Sequence, residues 1–205
     1  MIWNQRTTLL TVAAAAILTP AAFPCSVVRV LSNVEIVKTA DAVVRASTVE
    51  YAVSPSNPKV WTTGAPDSKI RFKVSETIRG SAGAEVVLPG YLVDQDDFND
   101  REPPYSFVRP NGRTGSCFAN SYRSGGQFLL FLKKMKSGEF TVNWAALSPV
   151  NEQLHSDRDR WLLWSRQQAA KVEEKKSLAF NPRECAIAFT RAGVDPFGNV
   201  SCGGN

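Results

Sequence analysis

Four cysteines and one histidine hold most of the nucleophilic and metal-binding capacity of this 205-residue chain. The cysteines are Cys25, Cys117, Cys185 and Cys202, and no two of them form the C-x-x-C pair expected of a zinc site. In an exported chain such cysteines read as structural disulfides. His155 would have to serve any Ser-His-Asp or Cys-His catalysis by itself. It stands immediately before Ser156, where a helix is predicted to open, and reads as an exposed linker residue. Neither G-x-S-x-G nor H-E-x-x-H occurs. These residues predict a protein that is not an enzyme; a hydrolase would need His155 or an aspartate cluster in a cleft beside a nucleophile.

The densest set of oxygen ligands is Asp94, Asp96, Asp97 and Asp100, with Asn99 among them. Calcium takes hard oxygens of this kind, so a weak calcium site is one expectation. The competing one is a loop whose carboxylates pair with Arg101, Arg109 or Arg113, because the EF-hand spacing, its glycine and its closing glutamate are all absent. No other cofactor is expected. The same stretch, residues 94–115, is a long polar insertion of the kind that usually carries function when ordered. Its aromatics Tyr105 and Phe107, beside Pro103 and Pro104, either form a recognition surface or cover one end of the fold.

The elements that must position these residues are mostly strands. Phe128–Leu132 is an unbroken apolar run between Gly125-Gly126 and Lys133-Lys134, predicting a central strand buried on both faces. Residues 40–49 predict a first strand, and Ile70, Phe72 and Val74 alternate with polar residues in a second that runs to Ile78. A short third strand covers 85–88 and continues at 91–93 after Pro89-Gly90. A fifth is expected over 140–147, where Phe140, Val142 and Trp144 alternate. Residues 52–67, with three prolines and a glycine, read as an exposed loop. From Ser156 to about Lys176 the texture changes: an N-cap signal precedes Trp161, Leu162, Trp164, Ser165, Ala169 and Val172 on one helical stripe. The tail holds Cys185 and Cys202, and a bridge between them would contribute roughly 3 kcal/mol in the chain-entropy model.

At the N-terminus, one arginine and the apolar core 7–18, followed by Pro20-Ala21-Ala22, predict a cleaved signal peptide over 1–22. The run is too short to span a bilayer. Losing it removes only Arg6 from 24 basic side chains and none of the 19 acidic ones, so the net charge falls from +5 to +4. Such a mild excess, without a basic patch, gives no reason to expect a nucleic-acid partner. The expected location is secreted or periplasmic.

In order and spacing, Cys25, Ala40–Val49, Phe72–Gly80 and Ser116–Leu132 resemble the netrin-like and tissue-inhibitor-of-metalloproteinase family, above all its exported bacterial members, whose function is unknown. The resemblance covers residues 25–150, about 60% of the chain. It implies a five-stranded OB-fold barrel over 23–150, with the helix and disulfide-tied tail of 151–205 outside that module. It also implies that Cys25 is the family's N-terminal cysteine and Cys117 its anchoring partner, leaving Cys185 to pair with Cys202. In the animal inhibitors the first cysteine chelates the protease zinc through its α-amine and carbonyl. Here Phe23-Pro24 precedes Cys25 after the expected cleavage, and Val27 stands where a second cysteine would fall. The expectation is a monomeric, exported, non-enzymatic module that binds a protein, such as a protease, through Cys25, Ser26, Tyr105 and Phe107. The alternative class is a structural or adhesive protein of the envelope surface.

Overall fold

A computed structural model describes residues 29–57, 65–113 and 117–179, with side-chain surroundings given up to residue 175. The elements in chain order are α1 (Asn33–Thr39), β1 (Ala42–Val53), β2 (Lys69–Arg79), β3 (Glu85–Pro89), β4 (Tyr91–Val93), a 3-10 turn (Pro110–Arg113), β5 (Ser121–Arg123), β6 (Gln127–Lys134), β7 (Phe140–Val142), β8 (Asn151–Gln153) and α2 (Arg160–Ala179). The signal peptide expected over 1–22, Cys25, Ser26 and the tail with Cys185 and Cys202 lie outside the described residues. Among those residues no helix is long and apolar enough to cross a membrane.

The apolar run makes the central strand. Phe128 to Leu132 are all fully buried in β6, as a strand covered on both faces requires. Along one edge β6 pairs antiparallel with β1, from Ala42 opposite Leu132 to Ser47 opposite Gln127. Its other edge is shared, Leu132–Lys134 pairing with β7 and Phe128–Leu130 with β8. Beyond β1 come β2 and then β3, so the sheet reads β3-β2-β1-β6-β7, all antiparallel. The β1–β2 ladder carries four register shifts. Such irregularities add twist and bend a sheet, and β3 and β7 accordingly approach each other, leaving a cleft of about 480 Å³ lined by Val87, Pro89, Met135 and Phe140. No ladder joins them, so the sheet is open and not the closed barrel expected. A separate pair, β4 with β5, is parallel.

Several boundaries differ from expectation for local reasons. The first strand runs on to Val53, because β2 pairs it as far as Lys69. The fifth strand stops at Val142, where the Asn143 N–H bonds back to Phe131 O (2.7 Å) and the Trp144 N–H to Val142 O (2.7 Å). α2 starts at Arg160, four residues after Ser156. Its cap is Asp159, which accepts from the Trp161 N–H (2.8 Å). The stripe on α2 does face the core: Trp161, Leu162, Ser165 and Ala169 are buried, and Trp164 and Val172 pack beside them. α1 has no counterpart in the predicted elements. A reciprocal capping box forms it, the Ser32 Oγ accepting from Glu35 N–H while the Glu35 carboxylate accepts from Ser32 N–H (2.9 Å). Gly80, with φ +73°, makes the tight exit from β2: a Cβ there would sit 2.1 Å from the Asp41 carbonyl oxygen.

Candidate functional site

Residues 94–113 leave β4 at Val93 and hold no regular element except the 3-10 turn. A stretch this long must satisfy its backbone by other means. Arg109 does much of that work. Its side chain is fully buried, and its Nε donates to Asn151 O (2.9 Å), one Nη to Ala119 O (3.0 Å) and the other to the Asp97 carboxylate. The guanidinium also lies over the rings of Tyr122 (5.3 Å) and Phe128 (5.4 Å), where a cation is favoured electrostatically. One side chain thereby ties the segment to β8, to the approach of β5 and to the core.

Glu152, at the middle of β8 and opposite Leu129 of β6, is the second anchor. It is fully buried, and one carboxyl oxygen accepts from the Arg109 backbone N–H (3.0 Å) while the other accepts from Asn99 Nδ2 (2.9 Å). Asn99 bonds onward to Phe107 O (2.8 Å), and its Oδ1 accepts from Arg101 N–H (3.2 Å) and Arg113 Nη2 (2.9 Å). Arg113 Nη2 donates in turn to Asp100 (2.8 Å). Burial pushes the Glu152 carboxyl up to about 7, aided slightly by the charge of Asp97 and opposed by Arg109 and by its two hydrogen bonds. Burial foremost, then the charges of Asp159 and Glu152, raise the Tyr105 hydroxyl above its ordinary value.

The aspartates do not converge. Asp97 takes Arg109 and the Asn111 N–H (3.0 Å), Asp100 takes Arg113, and Asp96 accepts from Gln153 Nε2 (2.6 Å). Among the described residues no three His, Cys, Asp or Glu side chains gather as a metal would need, and the calcium site expected of Asp94, Asp96, Asp97 and Asp100 is not formed. The competing expectation holds for Asp97 and Asp100, since each arginine claims a different carboxylate. Tyr105 is also corrected. It is 2% exposed, with its ring centroid 5.6 Å from that of Trp161, so it anchors the segment in the core and does not present to a partner. Phe107 is half-buried between Arg101 and Arg113. The exposed crest of the segment is Arg101, Glu102, Pro104 and Ser106.

His155 is exposed but is not free in a linker. Its Nδ1 lies 3.1 Å from Asp159 and its ring stacks on Phe98, centroids 4.2 Å apart. It lines a cleft of about 470 Å³ with Gln127, Gln153, Ser156 and Arg158. Among the described residues the ring hydrogen-bonds Asp159 alone, and the Ser156 Oγ accepts from Arg158 N–H (3.2 Å). Cys117 is disulfide-bonded, and its partner lies outside the described residues.

Sequence reasoning set the carboxylates of Asp94, Asp96, Asp97 and Asp100 against Arg101, Arg109 or Arg113, of which Asp97 with Arg109 and Asp100 with Arg113 form, and it missed Glu152. The signal was slight: one glutamate in a five-residue stretch whose ends, Val150 and Leu154, are apolar. In comparisons with known proteins, no family model matches the chain and no curated protein matches it significantly.

Proposed function

We propose that the chain is an exported, non-enzymatic module that binds a protein partner through the crest of the 94–113 segment. The observation carrying this reading is the way that segment is held. A buried ionic and polar network contributes little net stability, because desolvation cancels much of its attraction, but it can fix one geometry among many. Here it holds a long irregular segment in one shape and leaves Arg101, Glu102, Pro104 and Ser106 facing solvent. Ordering a loop in advance lowers the entropic cost of binding, which is a reason to build such a network beneath an exposed crest. Export is supported by the apolar core 7–18 and by the disulfide at Cys117, a bond that persists in oxidising compartments.

The strand order supports a netrin-like OB fold at the coarser level of architecture. What supports it is the order β3-β2-β1-β6-β7 with β3 and β7 drawn together, which a five-stranded Greek-key barrel opened along one seam would give. A narrower version of the function, metalloproteinase inhibition through Cys25 and Ser26, rests on the family resemblance and requires Cys25 to be the mature first residue.

The test is affinity capture from the exported proteins of the producing cell, with wild type and with an Arg101→Glu/Glu102→Arg double variant. A discrete partner held by the wild type and lost by the equally stable variant is expected. Capture that survives the charge reversal would contradict a binding crest.

A further inference from the structure

We propose that the partner docks an acidic stretch of protein on the crest, its carboxylates received by Arg101 and by Arg158 and Arg160 at the start of α2. This rests on the crest being the binding surface and names the chemistry that surface accepts. The charges that are already matched set the starting point. Arg113 Nη2 donates to Asp100 (2.8 Å), and Arg45 meets Asp157 (3.0 Å). Asp159 is buried, and its carboxylate accepts from the Trp161 N–H and bonds His155. Arg160 Nη1 donates to Glu102 (2.8 Å), both side chains being mostly exposed, and this contact brings the start of α2 alongside the crest. Arg101 and Arg158 are left over. Both are exposed, and among the described residues no carboxylate bonds to either guanidinium. Asp100 feels the charge of Arg101, but its hydrogen bond goes to Arg113.

Arg101 is also set in place before any partner arrives. Its backbone N–H donates to Asn99 Oδ1 (3.2 Å), and its guanidinium lies over the Phe107 ring, 5.1 Å from the centroid. Arg113 flanks the same ring at 5.9 Å. Stacking engages the flat face of a guanidinium and leaves its N–H edge open, which is the part that forks onto a carboxylate. A side chain held in this way loses less freedom on binding than a mobile one. The Arg158 N–H donates to Ser156 Oγ (3.2 Å), which fixes the turn that carries the second arginine. Glu102 decides what kind of anion fits. A uniformly anionic surface, such as a nucleic-acid backbone or a layer of lipid headgroups, would meet Glu102 as a like charge. A protein can set acids opposite Arg101 and Arg158 and a neutral group opposite Glu102. It can also cover Leu163, which is 42% exposed one turn beyond Arg160.

The experiment follows the arginine Nε–Hε resonances of the full chain by NMR at about 20 mM salt, where exposed charges are little screened. The probes are a capped hexaglutamate peptide, its hexaglutamine counterpart, inorganic phosphate and phosphatidylglycerol vesicles. Hexaglutamate should shift Arg101 and Arg158 saturably, and hexaglutamine should shift neither. Arg101→Gln and Arg158→Gln should each weaken the peptide by about threefold or more, the size of one exposed ion pair. Lys136→Gln, which removes the same charge from the exposed turn after β6, should leave the affinity unchanged. No saturable shift, or an equal loss in Lys136→Gln, would overturn the proposal. So would phosphate or the vesicles moving these resonances at lower concentration than the peptide, since the site would then take any dense anion. Failure here is separable from failure of the crest. A partner lost by the Arg101→Glu/Glu102→Arg variant, with no response to hexaglutamate, overturns the acidic partner and leaves the crest standing. Capture that survives that variant contradicts the crest itself.

Discussion

Arg109 shows how much one side chain can organise. It meets two carbonyls, one carboxylate and two aromatic faces with no exposure to solvent. Arg109→Met keeps much of the volume but leaves Asp97 and the carbonyls of Asn151 and Ala119 without their donor. Removing one partner of a buried pair typically costs about 3–5 kcal/mol, far more than the intact pair contributes. Denaturant unfolding should show a loss of that size, with the loop region opening first. The arginine itself was legible in sequence as a cation among aspartates, but its burial was not. Burial depends on β8, whose three residues Asn151, Glu152 and Gln153 are polar in sequence and all buried in the fold. A polar triplet gives no period-two signal, so neither the strand nor the carboxyl at its centre could be read from the sequence. Tyr105 failed for the opposite reason: an aromatic in a polar insertion suits a contact surface and a core anchor equally, and only Trp161 decides between them.

At the scale of elements, the strongly periodic segments were the readable ones. β2 alternates, β6 is apolar without a break from Phe128 to Leu132 and α2 carries its stripe, and all three form as the expected kind of element. Their ends were less readable, because an end depends on one cap or one pairing partner. Asp159 is the clearest instance. Its carboxylate accepts from Trp161 N–H (2.8 Å) and from His155 N–H (3.1 Å), so it caps α2 and fixes the chain that leads from β8 into the helix. Asp159→Ala should therefore cost about 1–2 kcal/mol, as loss of a good N-cap does. Thermal unfolding would check this, and Asp159→Asn, which can still accept, should recover most of the loss. The fully buried Trp161 lies two residues after the cap and donates its backbone N–H to it, so its fluorescence reports on the same junction.

For the molecule as a whole, two surfaces compete as the place where a partner would dock. One is the crest at Arg101–Ser106, held from beneath by Arg109, Asn99 and Glu152. The other is the seam between β3 and β7, where Val87 (39% exposed) and Met135 (53% exposed) flank the cleft. Apolar residues beside two unjoined strand edges are an alternative invitation to pair. The buried network favours the crest, since among the described residues nothing comparable is built under the seam. A photo-reactive residue placed at Glu102 in one protein and at Met135 in another separates the two most directly, with both irradiated among the exported proteins of the producing cell. A discrete adduct from position 102 and none from 135 is the result expected of a pre-shaped binding crest. An adduct from 135 alone, or from neither position, would contradict it.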